Sequence, residues 1–183
     1  MHYYKIYKPY GVLTQFSDKD GRKTLADLFD FPKEVYPIGR LDMDSEGLLI
    51  LYDDKKLNDR MLNPRSKEEK ESFVQVENIP TPEKLIEFSK SLIIEGKRTL
   101  PAKIKIIEDP QFESRIPPIR IRKTIPDCWV SITLIEGRNR QVRKMTAAIG
   151  YPTLRLIRVR IGNILLGDMS PGDVIELKRE DFY

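Results

Sequence analysis

The sequence lacks several features that would assign it to other classes of protein. Its 183 residues include one cysteine, Cys128, so no internal disulfide can form and nothing indicates an oxidising compartment. No apolar run approaches the roughly 20 residues that a membrane-spanning helix needs. The first residues also lack the uninterrupted apolar stretch of a secretory signal. We therefore expect a cytoplasmic protein that does not associate with a membrane.

The length and composition are those of a small globular protein. A chain of this size usually forms one compact domain, or two small subdomains that share a core. Apolar residues make up 40% of the sequence, which is enough for a core, and 33% of the residues are charged. The sole histidine, His2, is at the terminus and is interpreted as an incidental surface residue. We expect a single catalytic domain over residues 1–183, and a monomer.

Positive charge is concentrated in one part of the chain, although the whole sequence carries a net charge of only +4. Residues 111–160 contain eleven Lys and Arg against three Asp and Glu, a net of +8. Residues 1–110 have a net of −1, and residues 161–183 a net of −3. A positive block on an otherwise balanced chain fits a phosphate-binding surface, and a merely solvated face explains the charge equally well.

Alternating apolar residues predict eight strands, at 3–7, 11–16, 47–52, 72–77, 102–107, 129–135, 155–161 and 174–177. Helical spacing predicts four helices. Three of them begin after the N-cap residues Thr24, Asp54 and Thr81, and the fourth covers residues 142–149 and ends at Gly150. Strands dominate and do not alternate strictly with helices, so we predict an α+β fold with a mixed, mostly antiparallel sheet. Residues 109–127 carry four prolines and four bases, which predicts a long exposed loop that meets a partner.

Residues 39–51 place two acids, Asp42 and Asp44, between a turn and a buried strand. With further acids at positions 46 and 53 and a glycine at 47, they partly imitate a calcium loop, but the closing glutamate is missing. A shared carboxylate pair fits poorly, because residues two apart on an extended chain diverge. A metal-dependent phosphotransferase also fits poorly, because no second carboxylate cluster with a lysine stands out in the sequence. On composition alone, a structural acidic turn remains the leading interpretation.

Residues 136–162 combine a basic helix start with a basic strand. Four basic residues lie at the start of the predicted helix: Arg138, Arg140, Arg143 and Lys144. Free backbone N–H groups at a helix start favour the binding of anions. In the strand that follows, alternation predicts that Arg158 and Arg160 project from one face and the apolar residues from the other. Arginines that project in register from a strand are well suited to contact successive phosphates.

Three stretches resemble the RsuA-type family of ribosomal RNA pseudouridine synthases. Residues 39–49, Gly-Arg-Leu-Asp-Met-Asp-Ser-Glu-Gly-Leu-Leu, are similar to its signature, and residues 7–13, Tyr-Lys-Pro-Tyr-Gly-Val-Leu, to its opening. Residues 136–145, 150–152 and 154–162 are similar to its C-terminal motif. The resemblance covers nearly the whole chain and implies the pseudouridine synthase catalytic fold, with two subdomains that flank an active-site cleft.

Many members of this family carry a small S4-like RNA-binding domain ahead of these motifs. The chain has no room for one, and so it resembles the branch that lacks this domain. This branch implies isomerisation of a uridine of 23S large-subunit ribosomal RNA to pseudouridine, with a small-subunit or transfer RNA target as the alternative.

The resemblance also implies the roles of two residues. Asp42 corresponds to the family's nucleophile, which attacks either C1′ of the sugar or C6 of the base. The C1′–N1 bond then breaks, the uracil turns and a C1′–C5 bond forms. Arg143 corresponds to the cation that meets this carboxylate across one pocket and keeps it ionised beside polyanionic RNA. Neither bond change is a redox step, so no cofactor and no metal are expected.

One position departs from the family's pattern. Members have a tyrosine that packs against the target base in a strand reading Lys-X-Tyr-X-Val, and Ser72 stands in its place. Serine offers far less stacking area, and alternation turns the neighbouring Phe73 to the other face. A catalytically weakened RNA-binding or ribosome-assembly protein that retains the fold is therefore the alternative function. The candidate RNA-binding residues are Arg40, Arg138, Arg140, Lys144, Arg158 and Arg160, with Arg115, Arg120, Arg122 and Lys123 on the long loop.

Overall fold

The chain folds into two compact units of strands and short helices. A computed structural model describes residues 1–183. Unit 1 comprises Met1–Glu68 and Ile157–Tyr183, and unit 2 comprises Glu69–Leu156. No helix is both long enough and apolar enough to cross a membrane.

Unit 1 is built on strands that surround one fully buried strand. β1 (Tyr3–Lys8) pairs antiparallel with β3 (Glu46–Tyr52) on one side and with β11 (Val174–Glu176) on the other. β2 (Tyr36–Ile38) pairs antiparallel with the end of β3. Every residue of β3 is buried, which explains its unbroken apolar run Leu-Leu-Ile-Leu.

The second edge of β3 is parallel to β9 (Thr153–Ile161), the strand within which unit 2 ends and unit 1 resumes. β10 (Ile164–Leu165) forms a short antiparallel hairpin with β9. At Gly47 the two backbones approach so closely that an added Cβ would overlap the carbonyl oxygen of Arg158 and lie 2.7 Å from its amide nitrogen. Together with φ of +104° at Gly47, this contact requires glycine at the start of β3.

The helical elements of unit 1 are short. A 3₁₀ turn at Leu25–Asp27 is closed by a capping box in which Thr24 and Asp27 exchange hydrogen bonds with the backbone. A second 3₁₀ turn, Lys55–Leu57, is capped by the Asp54 side chain and leads into α1 (Asn58–Leu62). Two further 3₁₀ turns lie at Pro64–Ser66 and Arg179–Phe182. Most of the interior packing in this unit therefore comes from strands and turns, and α1 contributes the buried Met61.

Unit 2 packs two helices against an antiparallel sheet. The strands β4 (Lys70–Glu77), β8 (Asp127–Leu134) and β7 (Lys103–Ile107) lie side by side in that order. The helices are α2 (Pro82–Lys90) and α3 (Gln141–Ala148), and β5 (Ile93–Ile94) and β6 (Lys97–Arg98) make a separate hairpin. The core joins apolar side chains of the sheet to the inner faces of the helices, among them Val74, Ile132, Phe88, Met145 and Ile149.

The predicted α+β class and the mostly antiparallel sheet are confirmed, and so are seven of the eight predicted strands. The strand predicted at residues 11–16 is wrong. Its alternating residues form only an isolated bridge between Leu13 and Thr24, because the backbone bonds the segment that carries Lys23 and Leu25 instead. Four short strands, β2, β5, β6 and β10, were not predicted, since two or three residues show no alternation.

Candidate active site

The segment that carries Asp42 is a tight connection between two strands. We call residues 39–45, which join β2 to β3, the Asp42 loop. The amide of Ser45 donates to the carbonyl of Asp42 at 3.0 Å, which closes a four-residue turn with Met43 and Asp44 at its centre. Asp42 is half-buried, and Met43 is exposed. The acidic turn predicted from composition is therefore present.

Alternate carbonyl groups of the Asp42 loop are bonded to other parts of unit 1. The Thr14 hydroxyl donates to the carbonyl of Leu41 at 2.5 Å. The amide of Gly11 donates to the carbonyl of Met43 at 2.8 Å. Residues 11–14 therefore lie against the loop and hold the backbone on either side of Asp42 in place.

Lys8 lies beneath the same loop and is completely buried. Its ammonium group donates to the carbonyls of Pro9 and Val12, both at 2.8 Å, and to that of Met43 at 3.4 Å. Burial lowers the pKa of Lys8 to about 8, while the nearby carboxylates of Glu46, Asp44 and Asp42 act in the opposite direction. A buried cation therefore faces the acidic segment from within unit 1.

Arg158 differs from its predicted position. It was predicted to project from β9 toward solvent, but it is buried, with 7% of its surface exposed. Its Nε donates to the carbonyl of Leu48 at 2.8 Å and its Nη2 to that of Gly39 at 2.7 Å. Burial lowers the pKa of Arg158 to about 10, and the charge of Asp42 opposes this shift. The predicted separation of basic and apolar faces on β9 is wrong, because the Arg158 side chain is buried and donates hydrogen bonds to backbone carbonyls.

Sequence reasoning gave no role to Lys8 or Thr14. Their contribution is to bind backbone carbonyls, which no pattern of side-chain types reveals. Lys8 carried little signal, because it follows the strand predicted at residues 3–7 and directly precedes a proline, a place where a lysine is ordinarily exposed. Thr14 carried none, since its segment was predicted to be a strand.

The calcium-loop alternative for residues 42–53 is not supported by this geometry. Glu46 and Gly47 already belong to β3, so the segment is a turn followed by a strand and not a twelve-residue loop. Asp53, at its last position, accepts hydrogen bonds from the backbone amide and the ring of His2.

In unit 2, Ser72 lies in the middle of β4 and has 6% of its surface exposed. Val74 and Val76, two and four residues further on, are part of the core that includes the helices. The neighbouring Phe73 turns away from that face and packs against the ring of Phe112, with the ring centroids 6.3 Å apart. The predicted divergence of Ser72 and Phe73 is confirmed, so Phe73 does not supply an aromatic ring at the position of Ser72.

The basic helix start of unit 2 is confirmed, since α3 begins directly after Arg140. The guanidinium of Arg138 donates to the carbonyls of Ile94 and Lys97, so this side chain supports the β5–β6 hairpin. Lys144 forms an ion pair with Glu95 at 2.7 Å. Arg140 is exposed and Arg143 is half-buried.

The other predicted basic residues differ in exposure. The segment between β7 and β8 has no helix or strand, as predicted, and Arg120 and Lys123 are exposed in it. Arg122 lies 3.5 Å from a carboxylate oxygen of Glu77. Arg115 donates to backbone carbonyls of its own loop, Arg160 donates to the carbonyl of Gly162, and Arg40 is exposed beside Asp42.

The sequence is similar to a known protein family and to proteins of named function. A family model described as RNA pseudouridylate synthase matches residues 2–148. The chain is 51% identical over 170 residues to ribosomal large subunit pseudouridine synthase E of Vibrio vulnificus, a match that covers 93% of this chain and 72% of that protein. It is 49% identical over 167 residues to the protein of the same name from Xanthomonas axonopodis, covering 90% and 87%.

A more distant relative is ribosomal large subunit pseudouridine synthase B of Bacillus subtilis. It is 34% identical over 177 residues, which cover 96% of this chain and 67% of that protein. Among solved structures, a crystal structure of a pseudouridylate synthase superposes with a TM-score of 0.81 at 26% identity. That superposition covers 99% of this chain and 72% of the other.

Proposed function

The chain belongs to the RNA pseudouridylate synthase family, and from this premise we propose that it isomerises a uridine of large-subunit ribosomal RNA to pseudouridine in the cytoplasm. The observation that carries the proposal is the 51% identity over 170 residues to a large-subunit synthase, which includes the Asp42 loop. In this proposal, residues 1–183 together form the catalytic domain.

Asp42 is the proposed nucleophile. A carboxylate can attack and later leave within one cycle, so a single aspartate can serve both halves of an isomerisation. The C1′–N1 bond is replaced by a C1′–C5 bond, the proton on C5 is lost and N1 gains one, so atoms and electrons balance without a redox partner. Support comes from the half-buried position of Asp42 in a loop whose carbonyls at Gly39, Leu41 and Met43 are all bonded to other parts of unit 1.

Arg143 is the proposed cation that keeps the nucleophilic carboxylate ionised when RNA is bound. The phosphate field of RNA disfavours a second negative charge in the site, and a guanidinium offsets this effect. The support is its match to the family's motif and its half-buried position in the first turn of α3. There the helix dipole adds positive potential.

The proposed RNA-binding surface is smaller than the full set of basic residues. Exposed side chains are the best candidates for phosphate contacts, because they do not have to break a buried bond first. The exposed members of the predicted set are Arg40, Arg120, Arg122, Lys123 and Arg140. Three further candidates already bond other groups of the protein: Arg138, Lys144 and Arg160. Arg158 is buried, which argues against a contact between its side chain and RNA.

This surface predicts a strong salt dependence. We expect affinity for a ribosomal RNA transcript to fall on the order of a hundredfold between about 50 and about 200 mM KCl, since roughly four phosphate contacts release counterions. The measurement is a titration by fluorescence anisotropy at a series of salt concentrations. The variant Arg120→Gln/Lys123→Gln should reduce the slope by about 1.5. Lys19→Gln/Lys33→Gln, which removes two exposed lysines outside residues 111–160, is the matched control.

The function itself is tested by chemical mapping of pseudouridine in ribosomal RNA from cells with and without the protein. We expect one or a few large-subunit pseudouridines to disappear without the protein and to return when the wild-type chain is restored. The Asp42→Asn chain should not restore them. Restoration by Asp42→Asn, or an unchanged map together with a defect in ribosome assembly, would instead support the non-catalytic RNA-binding alternative.

A further inference from the structure

The Arg158 guanidinium is buried although its charge is costly to remove from water. Such burial requires that its N–H groups be matched by acceptors. The two acceptors at hydrogen-bonding distance are the carbonyls of Gly39 and Leu48. Gly39 is the first residue of the Asp42 loop, and Leu48 is the third residue of β3, which follows the loop. One side chain on β9 therefore bonds the chain on both sides of Asp42.

The geometry of this contact suits arginine specifically. Nε and Nη2 lie on the same edge of a planar guanidinium, so they donate in parallel to two acceptors held side by side. A lysine at the same position has a single nitrogen and cannot reproduce that paired contact. The backbone of Arg158 also pairs with Gly47, so both its main chain and its side chain hold the end of the loop.

Thr14 supports the loop between these two points. Its hydroxyl bonds the carbonyl of Leu41, the residue before Asp42, and it is 6% exposed. The carbonyls of Gly39 and Leu41 are therefore both bonded immediately before the proposed nucleophile. Displacement of a reacting group by about 1 Å can cost on the order of a hundredfold in rate, so bonds of this kind have a measurable consequence.

We propose that Arg158 is a positioning residue, which fixes the Asp42 loop for nucleophilic attack through its paired bonds to Gly39 and Leu48, and that Thr14 assists it. This inference rests on the proposed function, since it concerns the rate of that reaction. Arg158 then binds carbonyl groups of the protein's own backbone, whereas the sequence pattern had predicted that it binds RNA phosphates.

The test compares single-turnover rate constants at saturating RNA with the Kd for RNA. Arg158→Lys should lower the rate constant on the order of ten- to a hundredfold and leave Kd within about twofold. Thr14→Val, which keeps the volume and removes the hydroxyl, should lower the rate constant severalfold in the same way. Because it leaves Arg158 in place, it keeps the proposal testable if a variant at position 158 does not fold.

Asp54→Asn is the matched control for loss of stability. Asp54 is also a buried charged residue of unit 1, but its partners are Tyr3, Lys56 and Arg179, none of which belongs to the Asp42 loop. If Asp54→Asn and Arg158→Lys lower Tm alike but only Arg158→Lys lowers the rate constant, the positioning role is supported.

Two results would overturn the inference. An equal loss of rate in Asp54→Asn and Arg158→Lys would show that Arg158 acts only through stability. A weakened Kd for RNA with an unchanged rate constant at saturation would return Arg158 to the RNA surface. Inactivity of the wild-type protein toward large-subunit RNA is a different result, because it would refute the proposed function before any variant is compared.

Discussion

Replacement of Asp42 by asparagine is expected to abolish the formation of pseudouridine, with a loss of at least about four orders of magnitude in rate. An amide of the same shape preserves the turn but has no charged oxygen with which to attack the nucleotide. The measurement is tritium release from RNA labelled at C5 of uridine, since the C5 hydrogen must leave when C1′ takes its place. Affinity for RNA should remain nearly unchanged, because the substitution adds no bulk.

Asp44→Asn is the matched control for this substitution. Asp44 lies in the same turn, two residues away, and carries the same charge. We expect this variant to retain activity within about tenfold of the wild type, because Asp44 is not the residue that corresponds to the family's nucleophile. Tritium release at the wild-type rate by Asp42→Asn, or a complete loss in Asp44→Asn alone, would show that the nucleophile has been assigned to the wrong carboxylate.

The sequence predicted the strands of this protein better than its connections. β3 and β8 are long, apolar and bounded by polar residues, so their alternation or continuous apolar run is visible in the sequence. The helix α2 was equally visible, because Thr81 and Pro82 mark its start. Residues 11–16 were misread as a strand, since their backbone and the Thr14 hydroxyl form hydrogen bonds with the Asp42 loop and with the segment around Lys23.

The candidate site was predictable only in part, and for a physical reason. Asp42 stands in a motif whose residues resemble a known family, so its proposed role could be assigned without coordinates. Arg158 could not be assigned correctly, because strand alternation describes the directions of Cβ atoms and not the partners that a long side chain reaches. Arginine occurs both on phosphate-binding surfaces and beneath irregular loops, and only the surrounding carbonyls distinguish the two.

Ser72→Tyr is expected to raise the rate of pseudouridine formation. Stacking of a base on an aromatic ring is worth about 1–3 kcal/mol, which corresponds to roughly a fivefold to a hundredfold gain if the ring contacts the target uracil in the transition state. Ser72 lies on the face of β4 that also carries Val74, whereas Phe73 packs against Phe112 and does not serve this face. The measurement is the single-turnover rate constant in the tritium-release assay.

Two further variants identify the origin of the gain. Ser72→Phe supplies the ring without the hydroxyl, so equal gains from Phe and Tyr would assign the effect to stacking and a gain from Tyr alone to the phenol. Phe73→Leu removes the aromatic ring from the opposite face of β4 and should leave the rate constant unchanged. A loss of activity in Phe73→Leu at unchanged Tm, with no gain in Ser72→Tyr, would mean that Phe73 provides the aromatic contact to the base. The correspondence of Ser72 with the family's tyrosine would then be wrong by one residue.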